Sequence, residues 1–342
     1  MSRLPQGARS NPTLQQVARR AGVSIATASR VVTGAVPVSP DRRARVEQAI
    51  AELGYVPDER ARDLRRATST RTVAIMLPSL TCPIAADMFQ RLHRALRREG
   101  ATVLLYEAHD SRDAERLAVD ALLRAHARAV VVSSARGLGV DSTQLLRRRD
   151  VRVVYFGDRP PDVSQMWVGI DDHAGAHMLT EHLLRLGHRR IGYLSGRLEG
   201  SSGADRRDGH VSALRSAGIA ADEALIGGGA TTVAAGQGAT TDLLRLEQPP
   251  TAILTAHPLL AAGALLAIRE RGLRIPDEMS VATFFESDHV RYVSPALTCL
   301  TAVGDGMAQA VMTALDHREP GRVELPLTLA QRPSTGPPRV SP

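Results

Sequence analysis

Beyond residue 71 the chain alternates short apolar runs with longer amphipathic stretches. The apolar runs predict buried strands, and the stretches between them have the spacing of helices that cover a sheet. The predicted strands span 72–78, 101–108, 127–134, 151–158, 190–196, 251–256 and 279–285. The predicted helices span 84–99, 113–125, 174–186, 206–217, 233–246, 259–271 and 305–316. This alternation predicts an α/β protein with parallel, doubly wound sheets.

The first part of the chain follows a helical period instead. Apolar residues at helical spacing predict a helix over 13–20, and Gly22 supplies the positive φ of a tight turn. A second helix is predicted over Ile25–Thr33, and a third begins at Ser39-Pro40 and stops at Gly54. Two short helices joined by a glycine turn are typical of a helix-turn-helix. The spacing alone fits a generic three-helix bundle equally well.

Charge separates the two ends of the chain. Residues 1–70 contain 12 Arg and 6 acidic residues, a net charge of +6. The remaining residues contain 31 Arg and 30 acidic residues, a net charge of +1. The chain has no lysine, and the planar guanidinium of Arg suits both phosphate and the guanine edge. A basic head on a nearly neutral body indicates that the head contacts a polyanion.

Long stretches of sequence resemble a known family. The head reads TLQQVARRAGVSIATASRVVTG, followed by VSPDRRARVEQAIAELGYVPDERARDLRR. The body adds IDDHAGAHMLTEHLLRLGHRRIGYLSG, ALLAIRERGLRIPDEMSVATF, PALT and QRPSTGPP. In this order, and over nearly its whole length, the chain closely resembles the LacI/GalR (lactose/galactose repressor) family of bacterial transcription regulators.

The resemblance implies an N-terminal all-α helix-turn-helix head over 1–57, a hinge helix or linker over 58–70 and an α/β body over 71–342. The body would consist of two doubly wound parallel-sheet lobes, as in periplasmic binding proteins, with three crossings between them. Ligands of such sheets bind beyond the carboxyl ends of the strands, so the cleft between the lobes is the expected small-molecule site. The expected lobes are 71–159 with 292–321, and 160–291 with 322–342.

Base reading is expected from the second helix. Ile25 and Ala26 match the family's variable base-reading pair, and their apolar side chains can contact only thymine methyl groups. Arg30 matches the family's base-contacting Arg and can bind guanine through two hydrogen bonds. The hydroxyl groups expected to bond phosphate are those of Ser24, Thr27 and Ser29.

The linker is the second expected DNA contact. In the family this stretch folds into a short hinge helix on DNA, and Leu64 matches the residue that wedges between base pairs in the minor groove. Asp58 replaces the family's Asn and brings a carboxylate near phosphates. The residues that would face the backbone or the minor groove are Arg60, Arg62, Arg65 and Arg66. The alternative is a solvated, charged linker.

The cleft residues depart from the family's sugar-binding pattern. Arg206 matches an Arg that contacts the effector, and Asp158 lies at another pocket-lining position. His257 stands in place of an Asp, and Phe284 is followed by Phe285 where the family has a carboxylate that holds sugar hydroxyls. A more apolar cleft that keeps a cation favours an effector other than a sugar, either anionic or aromatic. The alternative is a cleft that has lost ligand binding.

Composition excludes several other classes. The two cysteines, Cys82 and Cys299, predict neither a disulfide framework nor a zinc site, and His173 and His177 lack a third ligand nearby. The chain shows no secretory signal and no apolar stretch of about 18 residues, so we expect a cytoplasmic protein, nucleoid-associated when bound to DNA. No phosphate loop or nucleophile elbow appears, so we expect no cofactor and no enzymatic activity.

Two functions remain. The first is a repressor that binds palindromic operator DNA as a homodimer, with a tetramer as a further alternative, and whose DNA affinity is set by a small-molecule effector. The second is a DNA-binding regulator whose body serves only dimerisation or the docking of another protein.

Overall fold

The structure is a computed structural model that describes residues 12–33, 38–55, 72–108, 111–133, 136–160, 162, 164–198, 200–301, 305–317 and 319–339. The chain divides into two compact units, Met1–Ser69 and Thr70–Pro342. We call the first unit the head and the second unit the body.

The described part of the head contains the helices α1 (Leu14–Ala21), α2 (Ile25–Thr33) and α3 (Pro40–Leu53). Thr13 and Gln16 form a capping box at the start of α1, which bonds backbone N–H groups that would otherwise lack partners. Gly22 adopts a φ of 63° in the turn before α2, as predicted. The buried core residues of the head are Val17, Ala18, Ala21, Ala28, Val46 and Ala49. The predicted helix-turn-helix is confirmed.

The first sheet of the body defines lobe one. Its strands are β1 (Thr72–Leu77), β2 (Thr102–Glu107), β3 (Ala129–Val132), β4 (Arg152–Phe156), β5 (Met166–Ile170) and β11 (Arg322–Leu325). They are all parallel and lie in the order β11-β5-β4-β3-β1-β2. The helices of lobe one are α4 (Pro83–Arg98), α5 (Arg112–Arg124), α6 (Val140–Arg148) and α12 (Asp305–Asp316). Side chains alternate along β1 between a core under α4 and α12 and a core under α5 and α6, so both faces of the sheet are covered.

The second sheet of the body defines lobe two. Its strands are β6 (Ile191–Leu194), β7 (Ile226–Gly227), β8 (Ala252–Thr255), β9 (Ser280–Thr283), β10 (Thr298–Thr301) and β12 (Thr328–Ala330). They lie in the order β12-β10-β9-β8-β6-β7, and only β12 is antiparallel to its neighbour. The helices are α7 (Asp172–Arg185), α8 (Ser201–Ser216), α9 (Val233–Leu243), α10 (Pro258–Glu270) and the short α11 (Asp288–Arg291), with a 3-10 turn at Glu223–Leu225.

The two lobes repeat one topology. Numbered from its first strand, each sheet has the order 2-1-3-4-5, and buried cores cover both of its faces. The prediction of two doubly wound lobes is confirmed. In this topology the strand order reverses between β1 and β3 in lobe one and between β6 and β8 in lobe two. The loops at these two points diverge from each other and leave a crevice at the carboxyl end of each sheet.

The predicted lobe boundaries need correction at all three crossings. β5 pairs with β4, and β11 pairs with β5, so both strands belong to lobe one. β10 pairs with β9 and belongs to lobe two. The physical reason is that each sheet completes five parallel strands before the chain leaves the lobe. Besides these three strands, the apolar pattern missed α6 and the elements β7, β12 and α11, which have only two to four residues each.

Candidate functional site

Helix α2 presents the expected DNA-reading face of the head. The Thr27 N–H donates to Ser24 Oγ at 3.1 Å, which caps the start of the helix. Ile25 is 51% exposed, and Ala26 and Arg30 are exposed as well. The outer surface of α2 therefore offers two apolar side chains and a guanidinium. Contacts of these residues with bases stay a prediction.

The hydroxyl groups expected to bond phosphate are already engaged within the helix or half-buried. Ser24 Oγ and Thr27 Oγ1 lie 2.9 Å apart and share a hydrogen bond, and Ser29 is half-buried. Positively charged side chains are more accessible than these hydroxyls. The exposed arginines of α1 and α3 are Arg19, Arg20, Arg42, Arg43 and Arg45. These arginines supply positive charge near α2 independently of the hydroxyls.

The predicted hinge contacts stay predictions. Leu64, the expected minor-groove wedge, lies outside the described residues. The same holds for the neighbouring residues Asp58, Arg60, Arg62, Arg65 and Arg66.

A cavity of about 430 Å³ lies at the carboxyl ends of both sheets, at the two points where the strand order reverses. We call it the cleft. Its polar and charged walls include Ser79, Thr81, Ser133, Asp158, Asp172, Ser195, Arg197, Ser202, Arg206, Thr231, Thr232 and His257. Its apolar walls include Pro78, Cys82, Ile84, Ala85, Phe156, Ile170, Ala256, Leu259, Phe285 and Met307. Both lobes contribute to it, and four of the five predicted effector residues line it.

Arg206, on α8, is held by lobe two itself. Its Nε donates to Asp172 Oδ1 at 2.7 Å, and its Nη1 donates to the Ala256 carbonyl at 3.0 Å. The two charged side chains are only 13% and 6% exposed. Burial raises the pKa of Asp172, and the guanidinium opposes that rise. Because a guanidinium stays charged, the two groups form a buried ion pair. The expected role of Arg206 as a cation for an anionic ligand stays a prediction, although Asp172 already pairs with this guanidinium.

The two phenylalanines enclose this arginine. The Arg206 guanidinium lies 4.7 Å from the ring centroids of both Phe284 and Phe285, within the range of cation–π interactions. Phe284 is fully buried in the core of lobe two and does not line the cleft, which corrects its predicted role. Phe285 does line the cleft and packs against the cores of both lobes. Its φ of 61° is rare for an aromatic residue and indicates that packing holds it in place.

Asp158 joins the two lobes. It follows β4 of lobe one, and its Oδ1 accepts a hydrogen bond from the Ser202 N–H of lobe two at 3.0 Å. Helix α8 begins after Gly200, has no acidic residue in its first turn and receives no side-chain cap from Gly200. The carboxylate from the other lobe therefore acts as the cap of α8. Next to it, the Arg159 N–H donates to Ser201 Oγ at 2.8 Å.

His257 and Cys82 form a second bridge between the lobes. His257 caps α10 by accepting the Leu259 N–H on its Nδ1 at 3.1 Å, so the neutral ring carries its proton on Nε2. That Nε2 lies 3.3 Å from Cys82 Sγ, at the start of α4, and donates to it. Burial lowers the pKa of His257 to about 3 and raises the pKa of the Cys82 thiol. At neutral pH this pair is therefore an uncharged imidazole and an uncharged thiol.

The described residues contain neither a metal-binding cluster nor a membrane-spanning helix. Among the described residues, no group of three or more His, Cys, Asp or Glu side chains could hold a metal ion, and the His173 and His177 rings stack with centroids 6.4 Å apart. In the same residues, no helix combines the length and the apolar character needed to span a bilayer.

Known proteins have the same order of domains, a helix-turn-helix head followed by a two-lobed body. Residues 13–58 match the model of bacterial regulatory proteins of the lacI family, and residues 180–335 match a periplasmic binding protein-like domain. The transcriptional regulator GalS of Salmonella typhimurium strain LT2 is 32% identical over 286 residues, which are 84% of each chain. The chain belongs to the lacI family.

Other comparisons agree with this assignment. The regulator GalR of Escherichia coli strain K12 is 31% identical over 310 residues, which are 90% of each chain. A structure of the lac repressor bound to ONPG in the repressed state matches with a TM-score of 0.81 and 26% identity, over 95% of this chain and 100% of that chain. As a lacI-family member the chain is a DNA-binding regulator of transcription and not an enzyme.

The partners that engage the charged cleft residues of this lacI-family body could not be predicted from the sequence. Asp172 compensates Arg206, Ser202 binds Asp158, and Arg159 of lobe one forms an ion pair with Asp205 of lobe two. The sequence does contain a signal for Asp172, since two carboxylates, Asp171 and Asp172, stand together at the start of α7 and one is enough to cap a helix. Asp171 does cap α7, through the Ala174 N–H at 2.8 Å, and this leaves Asp172 for the arginine.

Proposed function

We propose that this lacI-family chain is a repressor that binds a palindromic operator as a homodimer, through α2 of each head. A small molecule in the cleft, other than a simple sugar, sets its affinity for DNA. The observation that carries the DNA-binding part is the exposed surface of α2, where Ile25 and Ala26 lie on the same outer face as the longer Arg30 side chain. The apolar pair suits thymine methyl groups, and the guanidinium suits guanine.

The chemistry of the cleft supports an effector other than a simple sugar. A sugar pocket supplies carboxylate and amide groups that pair with hydroxyls, because unpaired hydroxyls pay for their desolvation. The two carboxylates that line the described cleft, Asp158 and Asp172, are engaged by Ser202 and Arg206. Phe285 offers a hydrocarbon ring where a sugar would need an acceptor.

An apolar groove on the surface of lobe two supports the homodimer. It lies between α10, α11 and the segment that follows α11. Tyr292 is 75% exposed and Leu266 is 41% exposed, although both are large hydrophobic side chains. Contiguous exposed apolar surface of this kind marks interaction sites. Leu266→Glu should shift the sedimentation coefficient towards a monomer, whereas Leu117→Glu, at an exposed leucine of lobe one, should not.

Selection of bound sequences from a random DNA pool tests the central proposal. We expect a symmetric motif with a guanine in each half-site. Arg30→Ala should cost about 1–3 kcal/mol per half-site and relax the preference at one position. Arg97→Ala, at an exposed arginine of the body, serves as a control and should select the wild-type motif. Affinity should fall steeply with salt because neutralised phosphates release counterions. Recovery of no symmetric motif would contradict the proposal.

A second candidate function rests on a specific observation. Protein groups bridge the lobes directly, through Asp158 and through Cys82. A body closed in this way suits a regulator that uses its lobes only for dimerisation or for docking another protein. Thermal-shift screening of small molecules separates the two functions, since a ligand that binds only the folded chain raises the unfolding midpoint. An effector must also change DNA affinity, and DNA must change its affinity by the same factor.

A further inference from the structure

We propose that the cleft selects an uncharged, planar aromatic molecule over anions and sugars. The inference rests on the proposed function of the cleft as the effector site, and it names the class of molecule that the site takes. Two independent observations carry it. The charges of the described lining sum to zero, with the buried Arg206 paired to Asp172, and an aromatic ring forms part of the wall.

The charges of the described lining add up to zero. The lining has two guanidinium groups, Arg197 and Arg206, and two carboxylates, Asp158 and Asp172, and the Nδ1 acceptor role of His257 keeps that ring neutral. Arg206 and Asp172 form a buried ion pair, and Asp158 accepts the Ser202 N–H. Arg197 is also engaged in an interaction of its own.

An anion that enters this cleft meets a described lining without net positive charge, and the buried cation of that lining, Arg206, is already paired with Asp172. The anion would lose its hydration or compete with Asp172 for a guanidinium that is already neutralised, and both processes cost free energy. A neutral molecule avoids both costs. The zero net charge of the described lining therefore disfavours anions, even though Arg206 is present.

The apolar walls favour a ring. Phe285 is fixed between the Arg206 guanidinium, 4.7 Å from its centroid, and the Phe284 ring, which it meets at an interplanar angle of 68°. From lobe one, Ile84 and Met307 bring further hydrocarbon to the cleft. A planar aromatic molecule can pack against such a wall by offset stacking or edge-to-face contact. A sugar could stack only its C–H face on the ring, and its hydroxyls would lose hydrogen bonds wherever they meet Ile84 or Met307.

A matched pair of probes tests the inference by calorimetry on the full chain. Indole-3-carboxamide and indole-3-carboxylate have nearly the same shape and differ in charge at neutral pH. We expect the carboxamide to bind about tenfold more tightly than the carboxylate, and galactose to bind more weakly than either. Phe285→Leu, which keeps apolar volume but removes the ring, should weaken carboxamide binding about fivefold.

A change of one charge should abolish the preference. Asp172→Asn keeps the shape of the side chain but leaves the Arg206 guanidinium uncompensated. The affinity for the carboxylate should then rise about tenfold, and that for the carboxamide should change less than about twofold. Asp222→Asn is the matched control, since Asp222 pairs with Arg190 in the same lobe but does not line the cleft. It should leave both affinities unchanged.

Three outcomes would overturn the inference. They are a carboxylate that binds the wild-type chain as tightly as the carboxamide, no binding of either probe at millimolar concentration, and an unchanged preference in folded Asp172→Asn. The comparison on the wild-type chain needs no variant, so it decides the question even if Asp172→Asn unfolds. All three outcomes are distinct from a failure of the proposed function, which is measured separately by the selection of a symmetric DNA motif.

Discussion

Asp158→Ala tests whether lobe one caps helix α8 of lobe two. The substitution removes the Oδ1 that accepts the Ser202 N–H at 3.0 Å, and Gly200 offers no replacement. Loss of a helix cap costs about 0.5–2 kcal/mol, typically about 1 kcal/mol. The cap and the helix belong to different lobes. The substitution therefore destabilises the state in which the lobes are bridged, relative to the open state, and does not destabilise either lobe alone. A cost of about 1 kcal/mol raises the ratio of open to bridged molecules about fivefold.

The Cys82 thiol measures this opening. Its Sγ accepts a hydrogen bond from His257 across the cleft, and the residue is half-buried. When closing is faster than labelling, the rate of reaction with a bulky disulfide reagent is proportional to the open fraction. We therefore expect Asp158→Ala to raise the labelling rate of Cys82 about fivefold, within a range of roughly two- to thirtyfold. Cys299 is fully buried in β10 and reports global unfolding in the same experiment.

Two further variants separate the cap from other effects. Asp171→Ala removes a cap of the same kind from α7, but that cap lies within lobe two, so the Cys82 rate should stay at the wild-type value. Asp158→Asn removes the charge and keeps an acceptor oxygen, so it should give a smaller rise than Asp158→Ala. An unchanged rate in Asp158→Ala, or an equal rise in Asp171→Ala, would refute the assignment of Asp158 as a cap between the lobes.

Further predictions concern the core, the pH dependence and the hinge. Phe284→Ala should lower the free energy of unfolding by about 3–5 kcal/mol in urea titrations, because the ring is fully buried, and a cost below about 1 kcal/mol would contradict this placement. Burial lowers the pKa of His257 to about 3 and that of His210 to about 4, so the unfolded chain binds more protons than the folded chain below the ordinary value of 6.5. The contribution of these groups to the free energy of unfolding is complete above about pH 6.5. It falls by up to about 1.4 kcal/mol per pH unit for each group, down to about pH 3 for His257 and about pH 4 for His210. His257→Asn, which can keep the helix cap, should remove one group's share of this slope. Leu64→Ala should weaken operator binding and reduce the bend seen in gels of circularly permuted fragments, and full affinity for a straight duplex would argue against the hinge assignment.

The sequence predicted the fold well where elements are long and regular. The strands β1–β4, β6, β8 and β9 are continuous apolar runs between helices, so their pattern is visible without tertiary information. β11 and β12 are exposed or half-buried, and with four and three residues they are too short for a period to distinguish them from loops. β10 is nearly all buried, but only four residues long, and its place beside β9 depends on pairing. The lobe boundaries depend on such pairings, which a linear pattern does not contain.

Most residues of the candidate site could be predicted from the sequence, but the residues that pair with them could not. Four of the five expected effector residues line the cleft, and their positions were inferred from the resemblance to the family's pattern. Their partners lie far away in sequence: Asp172 is 34 residues from Arg206, and Ser202 is 44 residues from Asp158. Without those partners Arg206 looks like an available cation and Asp158 like an available carboxylate. The predicted start of α8 at residue 206 is late for the same reason, since the cap at Ser202 comes from the other lobe.

The first two turns of α8 connect the cleft chemistry to the arrangement of the lobes. Ser202 and Asp205 are held by lobe one through Asp158 and Arg159, and Arg206, on the next position, forms part of the cleft wall beside Phe285. A molecule that contacts Phe285 or Arg206 therefore acts on the same helical segment that bridges the lobes. Such a molecule changes the ratio of bridged to open molecules only if it binds one of these two states more tightly than the other. For this reason the labelling rate of Cys82 and the affinity of an effector should change together in every variant of this segment, and independent changes would show that α8 does not link the two.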